Sequence, residues 1–464
     1  MKTLGLLIAA LAASPSAAAA PAISEQSRAE AREIFATVIG YETSIGKGQV
    51  PKMAEYLAER FRRGGFPAAD VHLLPLGEMA SLVVRYHGDG SGGRPILLMA
   101  HMDVVAAKRS DWQRDPFTLI EEGGYFFGRG TLDIKNEVAL LTETFLRLKA
   151  GGFVPSRDLI IAFTGDEEEA GDSAVDLVTN HRDLVAAEYA LNGDGGDGVL
   201  SETTGKPLMY YVQGAEKSSA SYSLTARNAG GHSSEPRADN AIYELAAALT
   251  AVQHYRFPIM SSEWTLGDFK AAGALTPGPL GAAMTRFAAN PRDAAAAAEI
   301  ARDPAYVGKL GTTCVATMLA GGHAQNALPQ SAVATINCRL FPGVAPATVQ
   351  AALQSAVGKG IAVTMNYEPL VSDASPLRQD VIGAVEKAIA LANPGARVVP
   401  TMAAYATDGA VFRKAGIPTY GVGSVFLKNS DKFSHGLNER ILVNSFYSGL
   451  VHWDVLLRTL AGQR

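Results

Sequence analysis

Cysteine is almost missing from this chain. Two occur in 464 residues, Cys314 and Cys338, and neither has a second thiol at metal-binding spacing, which excludes a cysteine-ligated zinc site. No Gly-x-Ser-x-Gly segment is present, so the strand-to-helix elbow of many serine hydrolases is excluded as well. Basic stretches with interleaved aromatics are absent and the net charge is −5, which gives nucleic acid no footing. Beyond the N-terminal segment, no apolar run approaches the roughly 20 residues needed to span a bilayer. Charged residues make up 19% against 47% hydrophobic, the balance of a folded globular chain, and the length calls for two domains.

The N-terminal segment has the grammar of an export signal. Lys2 is the positive start, 4–13 the short apolar stretch and 14–22 a small-residue tract, so cleavage is expected near residues 19–22. The competing reading, a membrane anchor, needs a longer apolar run. A periplasmic or secreted protein, free of the membrane after cleavage, is the expectation. An oxidising compartment would permit Cys314 and Cys338 to pair, because they would face each other in a hairpin centred near Asn326. Two buried free thiols are the other reading.

Helical patterns over 25–37 and 50–64 precede a stretch, 71–192, in which apolar strand-like runs alternate with helical ones. Such alternation predicts an α/β fold with a mostly parallel sheet. Near Gly214 the pattern changes to strand, helix, strand, strand, helix, strand, at 218–227, 240–255, 313–319, 332–340, 345–357 and 361–367. That order predicts a ferredoxin-like α+β module, interrupted by an Ala-rich, helical insertion at 256–311. After about Leu370 the α/β character returns. The expected division is a leader at 1–22, a catalytic domain at 23–214 and 370–464, and a small domain at 215–369 inserted between its two parts.

Candidate ligands sit where apolar runs stop. The run 95–100 delivers His101 and Asp103, 159–164 delivers Asp166, Glu167, Glu168 and Glu169, and 189–192 delivers Asp194. In an open α/β sheet, ligands bind beyond the carboxyl ends of the strands. Three such ends carrying acidic and imidazole groups imply one site, most simply a metal site. Asp133 lies in Gly128-Arg129-Gly130-Thr131-Leu132-Asp133, where a helix cap is the bland alternative. His435 lies in Phe433-Ser434-His435-Gly436-Leu437-Asn438-Glu439. Crowding carboxylates without a cation is costly and raises their pKa values. One carboxylate of the 166–169 cluster would bind metal and a neighbour would handle protons.

These five ordered motifs resemble the M20 family of metallopeptidases, over nearly all of the mature chain. The stretch from His101 through Trp112, Pro116-Phe117, Gly128-Arg129-Gly130 and Asp133-x-Lys135-Asn136 is most similar to the carboxypeptidase S branch. The resemblance implies a zinc-peptidase catalytic domain holding two divalent ions, zinc foremost, with cobalt or manganese as alternatives. It implies that His101 and Asp194 hold one ion, Glu168 and His435 the other, and that Asp133 bridges them. It makes Asp103 the group that orients His101, and Glu167 the general base. It makes the inserted module a lid and dimerisation domain, whose His232 would stabilise the oxyanion in a partner's site. Asn326 and Arg339 would hold the substrate backbone and carboxylate; Asn337 stands where most members carry Asp. The implied reaction is hydrolysis of an amide bond in a short peptide by a carboxypeptidase or dipeptidase. Deacylation of an N-acyl amino acid is the alternative, and a non-catalytic periplasmic binding protein is the alternative of another class.

Overall fold

The computed structural model describes residues 21–462, so the expected leader lies almost wholly outside the described residues. A ten-stranded sheet forms the larger body. Its strands run in the order Val71–Leu76, Met79–Tyr86, Leu159–Thr164, Ile96–His101, Tyr189–Asn192, Thr419–Gly421, Pro207–Glu216, Gly198–Leu200 and Phe426–Leu427, and Arg397–Ala403 also pairs with Pro207–Glu216. Ile96–His101 and Leu159–Thr164 are buried along their whole length. Successive residues of a strand point to opposite faces: Leu98 and Ile161 join the core beneath the helices Glu25–Ile39, Lys135–Ala150 and Val443–Ala461, whereas Leu97, Met99 and Ile160 pack on the other side with Leu177 and Phe412.

The sheet is mixed, which corrects the expectation of a mostly parallel one. The centre, Leu159–Thr164 with Ile96–His101, Tyr189–Asn192 and Thr419–Gly421, is parallel. Met79–Tyr86 runs antiparallel to its neighbours on both sides, as Pro207–Glu216 does to Gly198–Leu200 and Thr419–Gly421. The physical reason is local. Only Gly77-Glu78 separates the first two strands, with Gly77 at φ 59°, and a two-residue turn can make a hairpin but never a parallel crossover.

A second, four-stranded antiparallel sheet is inserted, ordered Thr313–Gly321, Ser331–Leu340, Ser218–Arg227, Ile361–Met365. Leu245, Ala248, Val349 and Leu353, from the helices Ala241–His254 and Pro346–Val357, share one core with Tyr222, Leu224 and Ile336 of the sheet. Residues 331–340 alternate half-buried and buried, so the opposite face stays polar. Cys314 and Cys338 stand directly opposite in register and form a disulfide, which decides between the two readings of the thiols. The bridge closes a sequence separation of 24, worth about 3 kcal/mol of denatured-state entropy. Cys314→Ser/Cys338→Ser is expected to lower unfolding stability by about that amount, read by denaturant titration; an unchanged midpoint would contradict it.

The 256–311 insertion is helical, as expected, with its own core of Phe269, Met284, Phe287, Ile300 and Leu310. It docks on the larger sheet, where Thr401 Oγ1 donates to Asp268 at 2.6 Å and Trp264 Nε1 donates to Ser375 O at 2.9 Å. Trp264 covers Gly214, where any Cβ would fall 1.9 Å from the indole.

Candidate metal centre

Three strand ends and two glycine-rich loops converge. His101 closes Ile96–His101 and is 1% exposed. Its Nδ1 lies 3.1 Å from the Asp103 carbonyl and 3.5 Å from the Asp103 carboxylate, and its Nε2 lies 3.2 Å from Asp133 Oδ1. The other Asp133 oxygen, Oδ2, is 3.2 Å from His435 Nε2. One carboxylate therefore offers one oxygen to each histidine. Glu168 meets the same His435 nitrogen at 2.8 Å and 3.0 Å. Two sets of ligand atoms each fit around a single ion: His101, Asp133 and Asp194, and Asp133, Glu168 and His435. Glu167 belongs to neither set; its Oε2 stands 4.0 Å from His101 Nε2.

The supporting contacts explain how these atoms are aimed. Asp103 accepts from the backbone of both Glu167, at 3.1 Å, and Glu168, at 3.0 Å. Asp166 turns away, capping the helix Asp172–Asn180 by accepting from Asp172 N and Ser173 N, and Glu169 is exposed. Glu439 is a site residue that the sequence does not announce. Fully buried, it accepts from the backbone of Gly130, Leu132 and Asp133 at 3.1, 2.8 and 3.0 Å and pairs with Arg129. Arg129 in turn donates to the carbonyls of His435 and Gly436 and stacks over Trp112. This buried pair thus joins the Asp133 loop to the His435 loop, where His435 itself holds φ 62°.

Electrostatics test whether a cation pair suits the site. Burial, with Asp194 and then Asp408 and Glu168 nearby, pushes Glu167 up to about 10. Asp194 is raised by burial, and Asp408 is pushed up to about 7 by burial. Burial works against Asp133, yet the imidazoles of His101 and His435, each 3.2 Å from one of its oxygens, hold it below the carboxylate range. His101 Nε2 is buried with no hydrogen-bond partner, aimed among carboxylates. Four carboxylates, Asp133, Glu167, Glu168 and Asp194, face two imidazoles, and two dications would balance their four charges. Nitrogen and oxygen donors of this kind suit zinc, and also cobalt or manganese. The residues fit a dinuclear divalent-metal site.

His232 and Asn326 lie elsewhere. They share a two-stranded ribbon in which His232 pairs with Ala327 and Ser233 N donates to Asn326 O. His232 and Asn326 are exposed, and the His232 ring is bonded within its own turn, to Ser234. Arg339 stands on the polar face of the inserted sheet, opposite Ser219. Asn337 bonds Ser219 and Ser221.

A search of family descriptions matches residues 97–459 to Peptidase family M20/M25/M40. The chain is a member of the M20 family. Among curated M20 relatives, the human N-fatty-acyl-amino acid synthase/hydrolase PM20D1 is 27% identical over 80% of this chain and 74% of its own. Aminoacylase-1 of Sus scrofa is 25% identical over 88% and 89%. Among solved structures, the M20 family metallo-carboxypeptidase Sso-CP2 from Sulfolobus solfataricus superposes with a TM-score of 0.68 at 17% identity, covering 94% of this chain and 99% of that one. Human carnosine dipeptidase 1 gives 0.65 at 15% identity, covering 96% and 100%. The M20 fold, an α/β catalytic domain with an inserted β-sheet domain, accounts for both bodies seen here. This M20 chain is a metal-dependent hydrolase of amide bonds in short substrates.

Proposed function

We propose that the chain is an exported N-acyl-amino-acid amidohydrolase, releasing a free amino acid from its acyl group. The observation that carries this reading is the kinship just described: relatives named for acyl-amino-acid hydrolysis match across four-fifths of the chain or more, beside one probable carboxypeptidase S-like relative from Dictyostelium discoideum at 26% identity over 79% of the chain, whereas the solved carboxypeptidase and dipeptidase structures lie below 20% identity.

His101 and Asp194 would hold one ion, Glu168 and His435 the other, with Asp133 between them. When bound, such ions supply Lewis acidity toward the scissile carbonyl and toward a water. Glu167 would take the water's proton at its carboxylate and pass it to the leaving amine. Arg339 would pair with the amino-acid carboxylate, a geometry suited to a guanidinium. Asn326 would hold the substrate backbone. His232, exposed and turned to its own loop, would serve the oxyanion of a second copy's site. A homodimer through the inserted domain is supported by the exposed apolar edge strand carrying Val315, Met318 and Leu319. The disulfide suits an oxidising compartment.

With zinc, cobalt or manganese, kcat/KM for N-acyl amino acids is expected to exceed that for dipeptides of the same C-terminal residue by about tenfold or more, roughly 1.4 kcal/mol. Dipeptides ahead by that margin would return the reading to a carboxypeptidase. N-terminal sequencing and sedimentation of the protein from cells would test export and pairing; an intact leader and a monomer would remove both.

A further inference from the structure

Glu216 is the last residue of Pro207–Glu216, and a single residue later the chain starts Ser218–Arg227 of the inserted domain. It is 2% exposed. Its Oε1 faces Arg413 Nη2 at 2.5 Å, and its Oε2 accepts from Gln213 Nε2 at 2.9 Å and Thr407 Oγ1 at 3.0 Å. The Thr407 hydroxyl also receives Asn192 Nδ2 at 3.3 Å and Gly409 N at 3.0 Å. A hydroxyl has one proton and two lone pairs. Two N–H groups pointing at it leave its proton no direction but Glu216, so the chain of bonds has a fixed polarity. At the far end, the Asn192 side-chain oxygen accepts from Asp194 N at 3.0 Å. Asn192, Thr407 and Gln213 are all buried. The adjoining Lys217 reaches the other way, donating to Gly308 O, Gly311 O and Thr313 Oγ1 at 3.0, 2.8 and 3.0 Å.

A buried ion pair is a poor way to gain stability, since well-packed apolar residues often do as well or better. A chain of side chains bonded one to the next, from Glu216 Oε2 through Thr407 and Asn192, does specify one geometry. We propose that Glu216 is a positioning residue of the metal centre: through Thr407 and Asn192 it fixes Asp194, and so ties that ligand to the strand by which the inserted domain leaves the sheet. The proposal rests on Asp194 being a metal ligand and not on which acyl group is cleaved.

The test is zinc titration of the purified full chain by calorimetry, alongside kinetics and thermal unfolding, for Glu216→Ala, Thr407→Val, Thr407→Ser and Asp454→Asn. Removing an outer hydrogen-bond partner of a ligand typically costs 10–100-fold in metal affinity or activity. Glu216→Ala and Thr407→Val are each expected to weaken one of the two zinc ions by about 10–100-fold, with kcat falling more than KM changes. Thr407→Ser keeps the hydroxyl and is expected to restore both. Asp454, buried and paired with Arg147 and Arg458 away from the centre, is the stability control: Asp454→Asn should lower the unfolding temperature and leave zinc affinity alone. If Glu216→Ala fails to fold, Thr407→Val carries the test. Wild-type zinc affinity in Thr407→Val, or equal zinc loss in Asp454→Asn, overturns the proposal. A wild-type chain binding fewer than two zinc ions would fail the underlying reading of the site, and this proposal with it.

Discussion

Glu167→Gln is expected to lower kcat by about 10²–10⁴-fold, the usual contribution of a positioned proton-transfer group, while the protein still carries two metal ions per chain. The argument is geometric. Glu167 lies outside both ligand sets, and its nearest approach to a ligand nitrogen is 4.0 Å. Glutamine has nearly the same shape. The turn that presents it is fixed through backbone amides by Asp103, and that contact survives the change. Kinetics on an N-acyl amino acid, paired with elemental analysis of the same sample, reads both quantities. Loss of metal in step with activity would make Glu167 a ligand and leave the base unidentified.

Asp133→Ala is expected to weaken both ions, and Asp194→Ala only one. Asp133 is common to the two ligand sets, with separate oxygens 3.2 Å from His101 and from His435. Structural zinc sites gain roughly 10–16 kcal/mol from about four ligands. One ligand is then worth roughly 2.5–4 kcal/mol, or about 10²–10³-fold in affinity for each ion. Dialysis against a graded chelator buffer, followed by metal counting, separates the variants. One ion lost and one retained in Asp133→Ala would show that the carboxylate does not bridge.

The sequence made the ligands readable because each sits where a buried strand must leave the core. Ile96–His101, Leu159–Thr164 and Tyr189–Asn192 announce themselves as apolar runs, and the first polar groups beyond them fall at the sheet's carboxyl edge. Asp133 and His435 had no such run before them and were legible through their glycine-rich surroundings and the family resemblance. Glu439 and Glu216 were not legible, since each acts across a gap that a single chain does not encode: 306 residues from Glu439 to Asp133, and 191 from Glu216 to Thr407. The fold buries both. The mixed sheet went unread. The two-residue Gly77-Glu78 turn shows its antiparallel consequence only once both strand ends are placed, and nothing in the composition of 207–216 fixes the direction in which that strand enters the sheet. The βαββαβ order of the inserted domain was readable because Ser218–Arg227 and Ser331–Leu340 alternate cleanly, one face apolar and one polar.

Asp103 grips two successive amides with one carboxylate, those of the proposed base and of a proposed ligand. Those two glutamates therefore share a single mooring. Any substitution at position 103 would perturb proton delivery and cation retention at once, so the enzyme has no means of tuning one without the other from that position.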